Sequence, residues 1–202
     1  MNFRWFINKF LAWSKKTQPS SAIITEHIPY MALDDYCRVE IVPVENDTHI
    51  LKVFKEIEEH SGTNFDGFGY KEMYEIGALP ESTINEELRL DYLDKLLSDK
   101  GFIAASKINY DEQINDADTY SIRAYGFTNF TIFIEGEEEF AKRIWLSITG
   151  IIIHVWQMDV LRKTLWQLGE EGQLLLVDWA TSKLYDLRNA DDVSAFLFQY
   201  WK

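Results

Sequence analysis

The chain has 202 residues, 47% hydrophobic and 15% aromatic, enough to bury a sizeable core and to exclude disorder along most of its length. Ten glycines and four prolines exclude a collagen-like or low-complexity chain, and the single cysteine, Cys37, excludes an internal disulfide framework or a zinc site of several thiolates. A net charge of −13 disfavours nucleic acid and anionic lipid as partners, attracts basic ones, and also serves plain solubility.

Residues 1–16 read as an amphipathic helix. Phe3, Phe6, Ile7, Phe10, Leu11 and Trp13 fall on one arc, with Arg4, Lys9, Lys15 and Lys16 on the other. This arm has no acid, so the rest of the chain carries −17. An arm docked on the acidic body and a weak membrane or partner contact both fit that pattern. A polar break at 17–21, containing Pro19, separates it from a single acidic domain over 22–202.

Residues 36–44 alternate as a strand, with Cys37, Val39 and Ile41 on one side and Tyr36, Arg38 and Glu40 on the other. A helix follows, capped by Asp47 or Thr48 and striped with Ile50, Val53, Phe54 and Ile57. Ser61 and Gly62 end it. After a loop-rich region over 61–80, a second helix starts near Thr83, buries Ile84, Leu88, Leu93, Leu96 and Leu97, and stops at Gly101.

Three β-like runs come next, at 102–108, 119–125 and 130–135. Gly126, Phe127, Thr128 and Asn129 join the last two as a hairpin. The polar stretch 109–118 reads as an exposed loop. Glu137 begins a helical region reaching toward Leu168, with Glu137, Glu138 and Glu139 in its first turn and a bend near Gly150. Periodicity leaves 151–156 open between helix and strand. Gly169 to Gly172 form a turn, 174–179 and 183–187 a hairpin, and Asn189 caps a last helix with Val193, Phe196, Leu197 and Tyr200 inside. Without regular βαβ alternation, the fold class is α+β: a mostly antiparallel sheet packed with several helices.

Motifs for chemistry are sparse. Cys37 lies in line with core residues, and His154 sits between Ile153 and Val155 as a core histidine. His27, His49 and His60 have no second ligand at metal spacing. The acidic run 111–118 lacks the glycine and the terminal glutamate of a calcium loop, and Gly67, Phe68 and Gly69 lack the rest of a phosphate loop. No cofactor or metal is expected, and no catalytic residue is selected. Among so many acids, a glycosidase-type carboxylate pair stays open as a hydrolase alternative.

The segment Leu174-Leu175-Leu176-Val177-Asp178-Trp179, followed by Lys183-Leu184-Tyr185-Asp186-Leu187 and a short final helix, resembles the endings of bacterial polymorphic-toxin immunity proteins. That resemblance implies a cytoplasmic, non-enzymatic inhibitor of a basic toxin domain. Acidic inhibitors of this kind gain fast electrostatic capture. Glu135, Glu137, Glu138 and Glu139, with Asp111, Glu112, Asp116 and Asp118, are the candidate partner-binding acids. Trp5 and Tyr70 are the candidate anchors. A solvated face is the competing reading for each acid.

Overall fold

The computed structural model describes residues 28–31, 37–64, 72, 74–81, 84, 88–117, 121–127, 129–149 and 154–200. In chain order these form β1 (Tyr30–Met31), β2 (Val39–Pro43), α1 (Asp47–Asn64), α2 (Leu90–Asp99), β3 (Ile103–Ala104), β4 (Lys107–Tyr110) and β5 (Gln113–Asp116). Then come β6 (Ile122–Phe127), β7 (Phe130–Glu137), β8 (Phe140–Ile148), α3 (Val155–Gly172), β9 (Leu174–Asp178), β10 (Lys183–Asp186) and α4 (Ala190–Phe198). The arm 1–16, the break 17–21, Gly67 to Tyr70 and residues 151–153 lie outside the described residues. Among those described, no helix is long and apolar enough to cross a membrane.

The architecture is α+β. A seven-stranded sheet runs β10-β9-β2-β8-β7-β6-β3 with every neighbouring pair antiparallel, and a three-stranded sheet runs β1-β4-β5. Among the described strands, only β1 and β4 pair in parallel. The C-terminal hairpin β9–β10 docks against β2, which makes the first long strand an interior strand of the large sheet.

Strand alternation sorts the core into two faces. Ile41 pairs with Ile144 and Leu176, and Ile144 pairs with Ile134, so these four point one way. Helices α2, α3 and α4 cover that face with Leu93, Leu97, Leu161, Leu165, Leu168, Val193 and Phe196. Burying each such side chain contributes about 1.5–3 kcal/mol. The opposite face is covered in two pieces. Under the small sheet, Trp145 stacks on Phe133 with centroids 5.2 Å apart, beneath Met31 and Ile108. Further along, Val42, Leu175 and Val177 pack under Ile50 of α1.

Several elements follow the pattern read from the residues. Helix α1 starts at Asp47 and buries Ile50 and Val53, ending two residues beyond Gly62. At the end of α2, Gly101 takes a φ of 85°, Phe102 N–H donates to Leu97 O (3.0 Å) and Gly101 N–H to Ser98 O (2.9 Å). This is a Schellman cap. The β6–β7 and β9–β10 hairpins form, and Asn189 caps α4 by accepting from Asp191 N–H at 2.9 Å.

Other elements differ, each for a physical reason. The helix expected from Glu137 is instead the end of β7, a turn at Glu138 and Glu139, and β8. Strand β8 is covered on both faces, so Ile144, Trp145 and Leu146 are all buried and the run shows no strand period. The second helix begins at Leu90, not near Thr83. Leu88 O instead accepts from Ala141 N–H at 3.0 Å, and Arg89 forms a β-bridge with Phe140. The supposed loop 109–118 contains the β4–β5 hairpin, whose turn holds Asp111 and Glu112 at φ 44° and 69°. Such a turn normally advertises itself with a glycine at its second position, and Glu112 hides it. The run 102–108 is split. Ala105 N–H bonds Ala124 O in the large sheet, while Ser106 O accepts from Ala117 N–H in the small one. The run 119–125 is shifted, with β6 at 122–127. Gly169 lies inside α3, where its bare backbone meets Leu187 closely; it forms no turn.

Candidate functional site

The candidate acids fall on two hairpins. Asp111 and Glu112 form the β4–β5 turn, and Asp116 ends β5; all three are exposed. Glu138 and Glu139 form the β7–β8 turn, next to a β-bulge at Glu135 and Gly136. Glu139 pairs with Arg89 at 2.9 Å, and Glu135 faces Arg143 at 3.9 Å across the strand pair. Asp111, Glu112, Asp116 and Glu138 reach no cation among the described residues. The side chain of Glu137 and all of Asp118 lie outside the described residues, as do Trp5 and Tyr70. The two groups of acids therefore sit on different sheets, one on each.

Sequence reasoning missed Glu40. It points away from Ile41, as the alternation predicts, but that side is the second covered face of the large sheet, where its register partners are Trp145 and Val177. Between β2, the start of β8 and the segment 76–81 lies a cleft of about 330 Å³. Glu40 lines it with Lys142, Arg143 and Trp179, opposite the segment 76–81. Burial pushes the Glu40 carboxyl above the ordinary carboxylate value. The Trp179 indole N–H (3.4 Å), the Arg143 charge and the Cys37 thiol oppose that shift, in that order. Trp179 is itself braced edge-on by Phe54, with centroids 5.7 Å apart.

Cys37 does not continue β2. It occupies a turn at φ 53°, is half-buried, and packs toward the Trp145 cluster rather than with Val39 and Ile41. His154 is likewise no core residue: it is exposed at the N-terminus of α3 and stacks beside Trp156. A smaller cavity of about 190 Å³ lies beside Arg38, Asp178 and Tyr200. Asp178 is 3% exposed, and its oxygens accept from Ala180 N–H, Thr181 N–H and Thr181 Oγ1. Its hydrogen-bonding capacity is thus directed into its own turn.

The cleft offers one desolvated carboxylate, able to hold or release a proton, beside two cations and an indole. Among the described residues, Glu81, exposed, is the other carboxylate on its lining, and no histidine lines it. Among the described residues, no group of three or more His, Cys, Asp or Glu side chains is arranged to hold a metal ion. Comparisons with protein-family models, with curated proteins and with solved structures gave no match.

Proposed function

We propose that this chain is a protein-binding inhibitor of the immunity-protein kind, which captures and neutralises a basic toxin domain in the cytoplasm. The observation that supports the reading is the placement of Asp111, Glu112, Asp116 and Glu138. They are exposed on hairpins and carry charge that no cation of the described residues neutralises. Surface charge of this sort steers a basic partner into encounter and raises its association rate. The test is affinity purification from the native cell with the parent chain and with a variant carrying Asp111→Asn, Glu112→Gln, Asp116→Asn and Glu138→Gln. The parent retains a basic protein encoded beside its own gene, and the variant loses most of it. Recovery of no neighbouring product, or equal recovery by both chains, overturns the reading.

The cleft favours a second reading, a carboxylate-based hydrolase with Glu40 as its proton donor. That reading requires a second acting carboxylate, for which Glu81 is the candidate on the cleft lining. Hydrolytic activity abolished by Glu40→Gln and by Glu81→Gln separates it from the first.

A further inference from the structure

Strand β5 is the outer strand of the small sheet. Its turn has two residues, so Tyr110 and Gln113 beside it form a hydrogen-bonded pair, and Ile108 with Asn115 form the next. Asn109 with Ile114 and Lys107 with Asp116 are then the non-bonded pairs. On β5, the backbone N–H and C=O of Ile114 and Asp116 therefore face away from β4. The far side of β4 obeys the same alternation: Asn109 N–H donates to Pro29 O at 2.9 Å, and Asp111 N–H to Met31 O at 3.4 Å. Beyond β4, no backbone partner of Ile114 or Asp116 occurs among the described residues.

This edge contains no lysine or proline, and Ile114 is 56% exposed. Across the sheet, Ile114 is in register with Asn109 and then with Tyr30, itself 42% exposed, so two exposed apolar side chains flank a polar one in that row. Three acids, Asp111, Glu112 and Asp116, flank the edge against one cation, Lys107, on the paired strand.

We infer that β5 is a docking edge for a basic, extended segment of the partner protein. That segment adds a fourth strand through the outward backbone groups of Ile114 and Asp116 and seats its cations against Asp111, Glu112 and Asp116. The inference rests on the protein-binding reading and specifies where the partner docks.

The test uses the full chain, an alternating lysine–valine peptide as the probe and an alternating glutamate–valine peptide as its control. The lysine–valine peptide binds and slows hydrogen exchange at the Ile114 and Asp116 amides, and the glutamate–valine peptide does neither. Ile114→Pro deletes one outward N–H, spares the ladder to β4, and weakens binding about tenfold. Ile114→Lys, at a side chain already exposed, weakens it too and serves if the proline variant fails to fold. Neutralising Asp111, Glu112 and Asp116 together weakens binding about tenfold and flattens its salt dependence. Slow exchange at Ile114 and Asp116 in the free chain overturns the inference, because the edge is then already occupied, by residues 1–16 or by a second copy. So does peptide binding that both Ile114 variants leave unchanged, or a peptide that does not bind at all. If the native partner is still captured in those cases, the edge alone is lost. If native capture also fails, the protein-binding reading falls with it.

Discussion

Gly169→Ala and Gly62→Ala make one chemical change in two helices and are expected to shift stability in opposite directions. A Cβ on Gly169 would lie 2.3 Å from the Leu187 carbonyl carbon, 2.4 Å from its Cβ and 2.5 Å from its oxygen. Comfortable contact is about 3.5–4 Å, so α3 must retreat by roughly 1 Å. Leu187 gives little: it is fully buried, and its N–H reaches Leu174 O at 3.3 Å. Overpacking costs about 1–3 kcal/mol, toward the upper end when backbone is struck. Alanine returns about 1 kcal/mol of helix propensity. The net expectation for Gly169→Ala is a loss of about 2 kcal/mol, or roughly 4–8 °C in Tm for a chain of this size. Gly62 lies in α1, with nothing among the described residues within 4 Å of its would-be Cβ. There only propensity acts, and stability rises by about 0.5–1 kcal/mol. Urea denaturation followed by tryptophan fluorescence, with calorimetry for Tm, measures both. A Gly169→Ala chain as stable as the parent refutes the close packing of α3 on Leu187. A destabilised Gly62→Ala chain refutes the extension of α1 past Ser61.

Asp178→Ala strips the acceptor from two N–H groups and a hydroxyl in the β9–β10 turn and is expected to cost about 2–4 kcal/mol in urea unfolding, with Asp178→Asn costing less. Glu40 gives a pH-dependent effect. Its folded pKa is raised, so between the ordinary and the raised value the folded chain binds more protons than the unfolded one. Glu40's contribution to stability therefore improves as pH falls through that window and is unfavourable above it. Glu40→Gln is accordingly more stable than the parent at neutral pH. Unfolding midpoints taken down the acid range show that advantage shrinking as the parent carboxyl becomes neutral.

The residues carried the local structure of this chain better than its tertiary placement. Gly101 with Leu97, Asn189 with Asp191, and the β9–β10 hairpin are signals spanning a few positions, and each forms where the residues place it. Strand β8 was illegible because its neighbours bury both of its sides, which erases the alternation that marks a strand. The β4–β5 hairpin was hidden by polar composition and by Glu112 standing where a turn glycine is usual. Glu40 shows the same limit at the candidate site. Its direction from β2 was readable, but that this direction is covered depends on Trp179, the start of β8 and the segment 76–81, which come together only in the folded chain. The exposed turn acids were easy to find by composition. Their division between two sheets was not, because it follows from the crossover at Ala105 and Ser106.

The association rate of this chain with the product of the gene beside its own, measured by stopped flow from low to high salt, tests the central claim most directly. Rapid association that slows steeply with salt, and that slows at low salt when Asp111, Glu112, Asp116 and Glu138 are neutralised, is the predicted result. A rate indifferent to salt and to those four side chains, or no complex at all, contradicts it.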